Sequence, residues 1–331
     1  MYDLILNYLI GALGFSATLV YGATGEIISE KSGHLNLGIP GVMCMGGAGG
    51  CMALTLVGKS ALPHFLIVLI GILGAFIVAV LFGLIYSFLT VTLRANQNVT
   101  GLTLTTLGMG LSRVLFANPR FIDKEVYIDI PKHYFRFPFD LFSAQLKYVN
   151  LLTLGVMFFL ALAVAIVSSV MLYRSRVGLN LRAVGENPAT ADAAGINVNR
   201  YKYLATCIGC GIAGLGGLYY IIDYSVSNEA YLSLDTFGWL SVALVIFALW
   251  KPHMTVPCAF IFGVLYTCSS QIPHIVKAIS PTTVLPLSLT PLMKMLPYLF
   301  TILILIISSI RNKRENQPPA SLGLSYFREE R

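Results

Sequence analysis

The sequence predicts an all-α, polytopic transmembrane helix bundle of about nine spans, eight to ten being accommodated, with its N-terminus outside and its C-terminus cytoplasmic. Three observations carry this expectation. Of 331 residues, 56% are hydrophobic and only 11% are charged, against roughly a quarter charged in an average soluble domain. The run Phe65–Leu93 contains no charged residue and is long enough to cross about 30 Å of hydrocarbon as a helix. The other apolar segments are also longer than barrel strands and lack period-two alternation, which favours helices. A mean hydropathy of +0.77 excludes intrinsic disorder as well.

In chain order, the expected spans are Leu4–Thr24, Gly38–Val57, Phe65–Leu93, Thr100–Ala117, Val149–Tyr173, Tyr203–Ile222, Thr236–Trp250, Thr255–Gln271 and Leu292–Ile310. No Lys or Arg precedes Lys31, so the first span lacks the basic n-region of a signal peptide and is expected to be retained. Gly38–Val57 is glycine-rich enough to be partly re-entrant. Residues 1–310 are expected to form one membrane domain, with a loop at about 174–202 and a tail at 311–331.

Basic residues orient these spans. Arg174, Arg176, Arg182, Arg200 and Lys202 fall in one loop, and Arg311, Lys313 and Arg314 follow the last span. Four spans separate the two groups, so both face the cytoplasm. Counting back places Glu26–Leu37 and Arg94–Val99 inside too. The net charge of +7 is thus a topology signal, with no nucleic-acid partner implied.

Several motif matches carry no chemistry. Cys207-x-x-Cys210 lies in an apolar helix without a second ligand pair, which favours packing over zinc. Gly58-Lys59-Ser60 resembles the end of a phosphate-binding loop, but Leu54 to Val57 finish a span where a glycine nest is required. Gly209-x-Gly211-x-x-Gly214 follows no strand. The small residues Gly71, Ala75, Ala79 and Gly83 instead form a ridge at four-residue spacing, repeated at Gly46 and Gly50 and at Gly209, Ala213 and Gly217. Such ridges allow close helix approach, either as ordinary packing or around a moving pathway. No carboxylate falls in the middle of an expected span, which weakens proton coupling. Arg113 is the basic residue deep in one, with snorkelling toward the outer surface favoured over a functional role there.

The most informative segment is residues 173–196. Asn187 can cap a helix that begins at Pro188, alanines favour its continuation, and Gly195 supplies the stop. About two turns of helix outside the membrane need a partner for stability. The segment suits either insertion into a groove of another protein or a capped surface turn.

At this point the sequence resembles a known family. Glu186-Asn187-Pro188 with Ala191, Ala194, Gly195 and Ile196 resembles the cytoplasmic coupling loop of ABC importer permeases, in particular the nucleoside-type branch of the branched-chain amino acid/ribose permease superfamily. Residues 25–41 (Gly-Glu-Ile-Ile-Ser-Glu-Lys-Ser-Gly-His-Leu-Asn-Leu-Gly-Ile-Pro-Gly), residues 93–101 (Leu-Arg-Ala-Asn-Gln-Asn-Val-Thr-Gly) and Leu296-Pro297-Tyr298-Leu299 carry the same resemblance. Pro40 departs from it, standing where many relatives have an acid.

The resemblance implies a non-enzymatic permease subunit of the bacterial cytoplasmic (inner) membrane. It implies coupling through Arg182, Glu186, Asn187, Pro188, Ala191, Asp192, Ala194, Gly195 and Ile196, with Ala191 and Ala194 turned toward a cytoplasmic ABC ATPase. The implied partners are that ATPase, a second permease subunit (paralogue or second copy), a substrate-binding lipoprotein and the bilayer. ATP and magnesium would sit on the ATPase, with no cofactor on this chain. Nucleosides are the expected solute, with simple sugars or another small polar solute as the alternative. Asn36, Asn96, Gln97, Asn98, Thr100 and Thr103 are candidates for the solute pathway, or else for capping and interhelical bonds. Pro119–Tyr148 is expected either to dock the binding protein or to lie on headgroups. A competing function of another class is a stand-alone ion-coupled carrier.

Overall fold

The computed structural model describes residues 2–60, 62–126, 154–227, 229–279, 292, 295–311 and 317–327. Among them the regular structure is entirely helical. Helix α1 spans Tyr2–Glu30, α2 Ile39–Val57, α3 His64–Ser87 and α4 Gln97–Ala117. Then follow α5 (Val156–Arg174), the short α6 (Arg176–Glu186) and α7 (Pro188–Ala193), and α8 (Val198–Tyr219). Helices α9 (Leu234–Phe247), α10 (Pro252–Ile279) and α11 (Leu296–Arg311) complete the set. Where the described residues cover them, the expected apolar segments coincide with helices. Seven described helical segments are long and apolar enough to cross a membrane, and Pro252–Cys268 is a shorter apolar stretch.

Helix α8 is the axis of the bundle. It packs against α1, α2 and α3, while α4 lies on α2 and α9 touches both α1 and α2. Helices α5 and α10 close the remaining side of α1. The small-residue ridges make this arrangement possible. A β-carbon on Gly46 would lie 2.5 Å from the Gly214 carbonyl oxygen, and one on Gly217 would collide with the Met43 carbonyl. On the α3 ridge, Ala75 and Ala79 are fully buried, and a β-carbon on Gly83 would meet the Cys210 side chain at 2.9 Å. Backbones thus approach where side chains are absent. The opposite face of α3 exposes Leu73, Ile77 and Leu81, as expected for a surface solvated by lipid tails.

Several boundaries differ from the sequence expectation, α10 running to Ile279 and not ending at Gln271 among them, and three bear on the site. Helix α1 does not end at Thr24; it runs on to Glu30, so the first connection begins only at Lys31. Nothing in residues 25–30 breaks a helix, and Glu26 and Glu30 are buried at its end (0% and 3% exposed). Burial of these carboxylates is compensated in part: the Asn36 backbone N–H donates to Glu26 Oε1 at 3.0 Å and the Trp250 indole to Glu30 Oε2, while Glu26 Oε2 has no hydrogen-bond partner among the described residues. Helix α8 starts at Val198, capped by Asn197, whose Oδ1 accepts the Arg200 N–H at 3.0 Å. Lys202 therefore lies within the packed helix, and does not stand in a loop. Third, Arg176–Glu186 form a helix of their own. Its buried face is Gly178, Leu181, Val184 and Gly185, a helical spacing that the charged residues between them obscure.

Both rejected nucleotide motifs lie in helical surroundings. Lys59 follows α2 and pairs with Asp123 at 2.9 Å on an exposed surface. Gly209, Gly211 and Gly214 are buried inside α8. Cys207 and Cys210 pack with them, and Cys210 Sγ receives the Asn36 amide at 3.3 Å.

Candidate coupling site

The segment singled out in the sequence folds as two consecutive short helices beyond the end of α5. Ser175 turns the chain: its Oγ accepts the Gly178 N–H at 3.0 Å, capping α6. A β-carbon on Gly178 would lie 2.5 Å from the Leu172 carbonyl oxygen, so α6 folds back tightly on α5. Asn187 then ends α6 and starts α7, with Oδ1 accepting the Thr190 N–H at 3.1 Å and Pro188 at the first helical position. At the other end, Gly195 takes φ +82°, and its N–H donates to the Asp192 carbonyl while the Ile196 N–H donates to that of Ala191. That pair of bonds is the Schellman closure, which needs a left-handed residue where glycine is cheapest.

One expected orientation is corrected. Ala191 does not face outward: it is 3% exposed and packs with Val184 and Val198, flanked by Ile196, Tyr201 and Tyr326. A six-residue helix has one face to bury, and this is it. The outward face carries Ala189, Thr190, Ala193 and Ala194, with Glu186 and Asn187 exposed beside them. Ala194, the C-cap of α7, is exposed. Asp192 and Ile196 are half-buried, and Arg182 stacks its guanidinium 5.2 Å from the centroid of the Tyr173 ring.

A further support is illegible in the sequence. Residues 317–327 cross the same face and tie its loops together. Ser321 donates through both N–H (3.0 Å) and Oγ (2.5 Å) to the Gly185 carbonyl, and the Gly323 N–H donates to the Gly33 carbonyl at 3.2 Å. The Tyr326 hydroxyl donates to Asp192 Oδ2 at 2.9 Å, and Arg94 lies 4.9 Å from the centroid of the Phe327 ring. Only Gly323, at φ +78°, hints from sequence that this stretch turns.

The candidate pathway residues divide. Asn36 and Gln97 are buried and internally engaged: Asn36 Oδ1 accepts the Gly38 N–H, while Gln97 accepts from Leu35 N and donates to the Leu324 carbonyl. Asn96 caps α4, accepting from Asn98 N and Val99 N. Thr100 is buried where α4 meets the α1–α2 connection. Asn98 and Thr103 are exposed on α4, a face that also carries Thr106 and Arg113. Capping and interhelical bonding thus account for Asn36, Asn96 and Gln97. The segment Pro119–Tyr148 lies mostly outside the described residues. Pro40 sits in the first turn of α2, against Gly238 of α9.

The described residues form a bundle of apolar, membrane-length helices with a capped short helix beside it. The chain belongs to the family described as "Branched-chain amino acid transport system / permease component", which matches residues 8–307. It is 33% identical to a Haloferax volcanii ABC transporter permease provisionally named for glucose, over 95% of each chain. A nucleoside ABC transporter permease of Lactococcus lactis is 30% identical over 88% of each chain. A guanosine ABC transporter permease of Bacillus subtilis is 28% identical over 86% of this chain and 92% of that one. The protein is therefore an ABC transporter permease, and the stand-alone carrier reading is set aside.

Proposed function

We propose that this chain forms half of the pathway of a bacterial importer for nucleosides, powered by a separate ATPase subunit. The observation that carries the reading is the outward face of α7. Ala189, Thr190, Ala193 and Ala194 form a small, exposed surface on a helix too short to hold itself without its caps and Ala191 anchor. Such a face suits a cleft in a cytoplasmic ATPase that binds ATP and magnesium. ATP-driven closure of that subunit would move α6 and α7 and thereby bias the bundle between outward- and inward-facing states. A second permease subunit would complete the pathway, and a substrate-binding lipoprotein would deliver solute from outside. The basic residues flanking α6 and following α11 support a reading in which α6, α7 and the tail are cytoplasmic and the N-terminus outside, across about nine spans, eight to ten being accommodated. The exposed face of α4, with Thr103, Thr106 and Arg113, is the part of this chain suited to line a pathway shared with the second permease.

Two relatives named for nucleosides or guanosine support the solute class. Simple sugars are the second reading, favoured by the relative named for glucose, which matches more of this chain. The test is reconstitution with the ATPase, second permease and binding protein in proteoliposomes. ATP-dependent uptake of labelled guanosine, displaced by adenosine and not by glucose, is expected. Glucose uptake without guanosine uptake would sink the nucleoside assignment, and uptake without ATP would sink the coupling.

A further inference from the structure

Where α1, α5 and the α9–α10 turn all end on the α6–α7 face, they enclose a cavity of about 350 Å³. Its walls bring together cations that are far apart in sequence: Lys31 just past α1, Arg182 on α6 and Lys251 in the α9–α10 turn. The single acidic residue of the lining is Glu186, and Pro319 of the C-terminal segment covers one side.

Two of these cations have unspent donors. Among the described residues Lys31 forms no ion pair, although it is half-buried. Arg182 has a buried Nε without a hydrogen-bond partner, while its guanidinium plane is held against the Tyr173 ring. A buried unpaired donor on a fixed guanidinium is costly unless an acceptor arrives. The cations also feel one another. Burial pushes the Lys31 ammonium below its usual range, Glu186 and the neighbouring Glu30 oppose that shift, and Arg182 and Lys251 add to it.

We propose that this cavity binds a phosphate-bearing anion, with Lys31 and Arg182 as its donors and Lys251 strengthening the field. Guanidinium and ammonium groups that converge around a small polar space favour phosphate oxygens. The level of the site matters too. Tyr173 is in the last turn of α5, and Lys31 and Lys251 stand at helix ends, where membrane-length helices leave the hydrocarbon for the headgroup layer. Basic pockets between spans at that depth take anionic lipid phosphates. A soluble phosphate has the same chemistry and can enter from water. Bound there, the anion would bridge α1, α6 and the α9–α10 turn, joining the bundle to the segment that precedes α7.

Thermal unfolding of the full-length protein in a neutral detergent tests this, with transport playing no part in the readout. Phosphatidylglycerol, phosphatidylcholine and inorganic phosphate are titrated separately at matched ionic strength. Phosphatidylglycerol is expected to raise Tm by several degrees, and phosphatidylcholine to leave it unchanged. Lys31→Gln combined with Arg182→Gln should raise the half-saturating concentration at least tenfold. Arg176→Gln combined with Arg200→Gln removes two cations from the same face but outside the cavity and should raise it less than twofold. Protection by inorganic phosphate as well identifies a soluble anion as ligand, whereas protection by phosphatidylglycerol alone identifies a headgroup. Equal protection by phosphatidylcholine, no protection by either phosphate source, or undiminished protection in the Lys31/Arg182 variant overturns the proposal. If that variant does not fold, Lys251→Gln must raise half-saturation about threefold, and an unchanged value overturns it equally.

Discussion

Helices α2, α3 and α8 meet through glycines and alanines, whereas α6 and α7 hang on capping side chains and bonds to residues distant in sequence. In the first region the closest approaches, Gly46 to Gly214 and Gly217 to Met43, are backbone to backbone, with no rotamer there to absorb a displacement. In the second, Ser175, Asn187, Ser321 and Tyr326 each contribute a bond or two that can break and re-form singly. The difference suits a machine in which one part must keep its shape while another follows a partner. It also predicts opposite responses to substitution: gross loss of fold in the seam, loss of coupling with the fold kept in the short helices.

The largest effect is expected at Gly217, where a side chain would collide with the Met43 carbonyl. Gly217→Val should cost about 3 kcal/mol or more and abolish monodisperse protein in size-exclusion chromatography. Gly110→Ala, which meets open space, should not. Next comes the distinction between the faces of α7. Ala191→Glu puts a charge into the Val184–Val198 cluster and should dislodge the helix, lowering Tm and coupling together. Ala194→Glu alters only the outer face and should cut ATP-driven uptake at least tenfold at unchanged Tm. A fall in Tm at position 194 matching that at 191 would erase the proposed distinction.

Smaller effects sharpen the same contrast. Asn187→Ala removes the α7 cap at a cost of about 1 kcal/mol, to be read as faster amide exchange in residues 188–193 with the spans unaffected. Tyr326→Phe deletes the bond to Asp192, worth about 0.5–1.5 kcal/mol, and should raise exchange in α7 by a smaller factor. His34 provides a pH test. Burial, helped by Lys202, holds its imidazole well below the ordinary value. The unfolded chain therefore binds the extra proton first as pH falls. Stability from this group is complete above about pH 6.5 and is lost below it, with a slope of up to about 1.4 kcal/mol per pH unit. His34→Gln should flatten that part of the Tm-versus-pH curve.

Much of this was legible because membrane helices announce themselves by length and apolarity, and because caps are local. Asn187, Pro188 and Gly195 specify α7 within nine residues, and the ridge from Gly71 to Gly83 foretells close packing. What the sequence hid depends on contacts between remote residues. Glu26 and Glu30 read as loop acids because their compensation comes from Asn36 and Trp250. Ala191 read as outward-facing because its neighbours Val198 and Tyr326 belong to other segments. Asn36 and Gln97 stood open between a pathway role and capping or interhelical bonding because their polarity was visible while their partners were not.

The tail crossing 317–327 bears on how far the coupling segment can be treated as a portable cassette. Moved into another permease as residues 174–202, it would leave behind the donors from Ser321 to Gly185 and from Tyr326 to Asp192, and the link from Gly323 to Gly33 would lose its purpose. A working chimera would need the two stretches exchanged together, as a lock and the bolt that fits it.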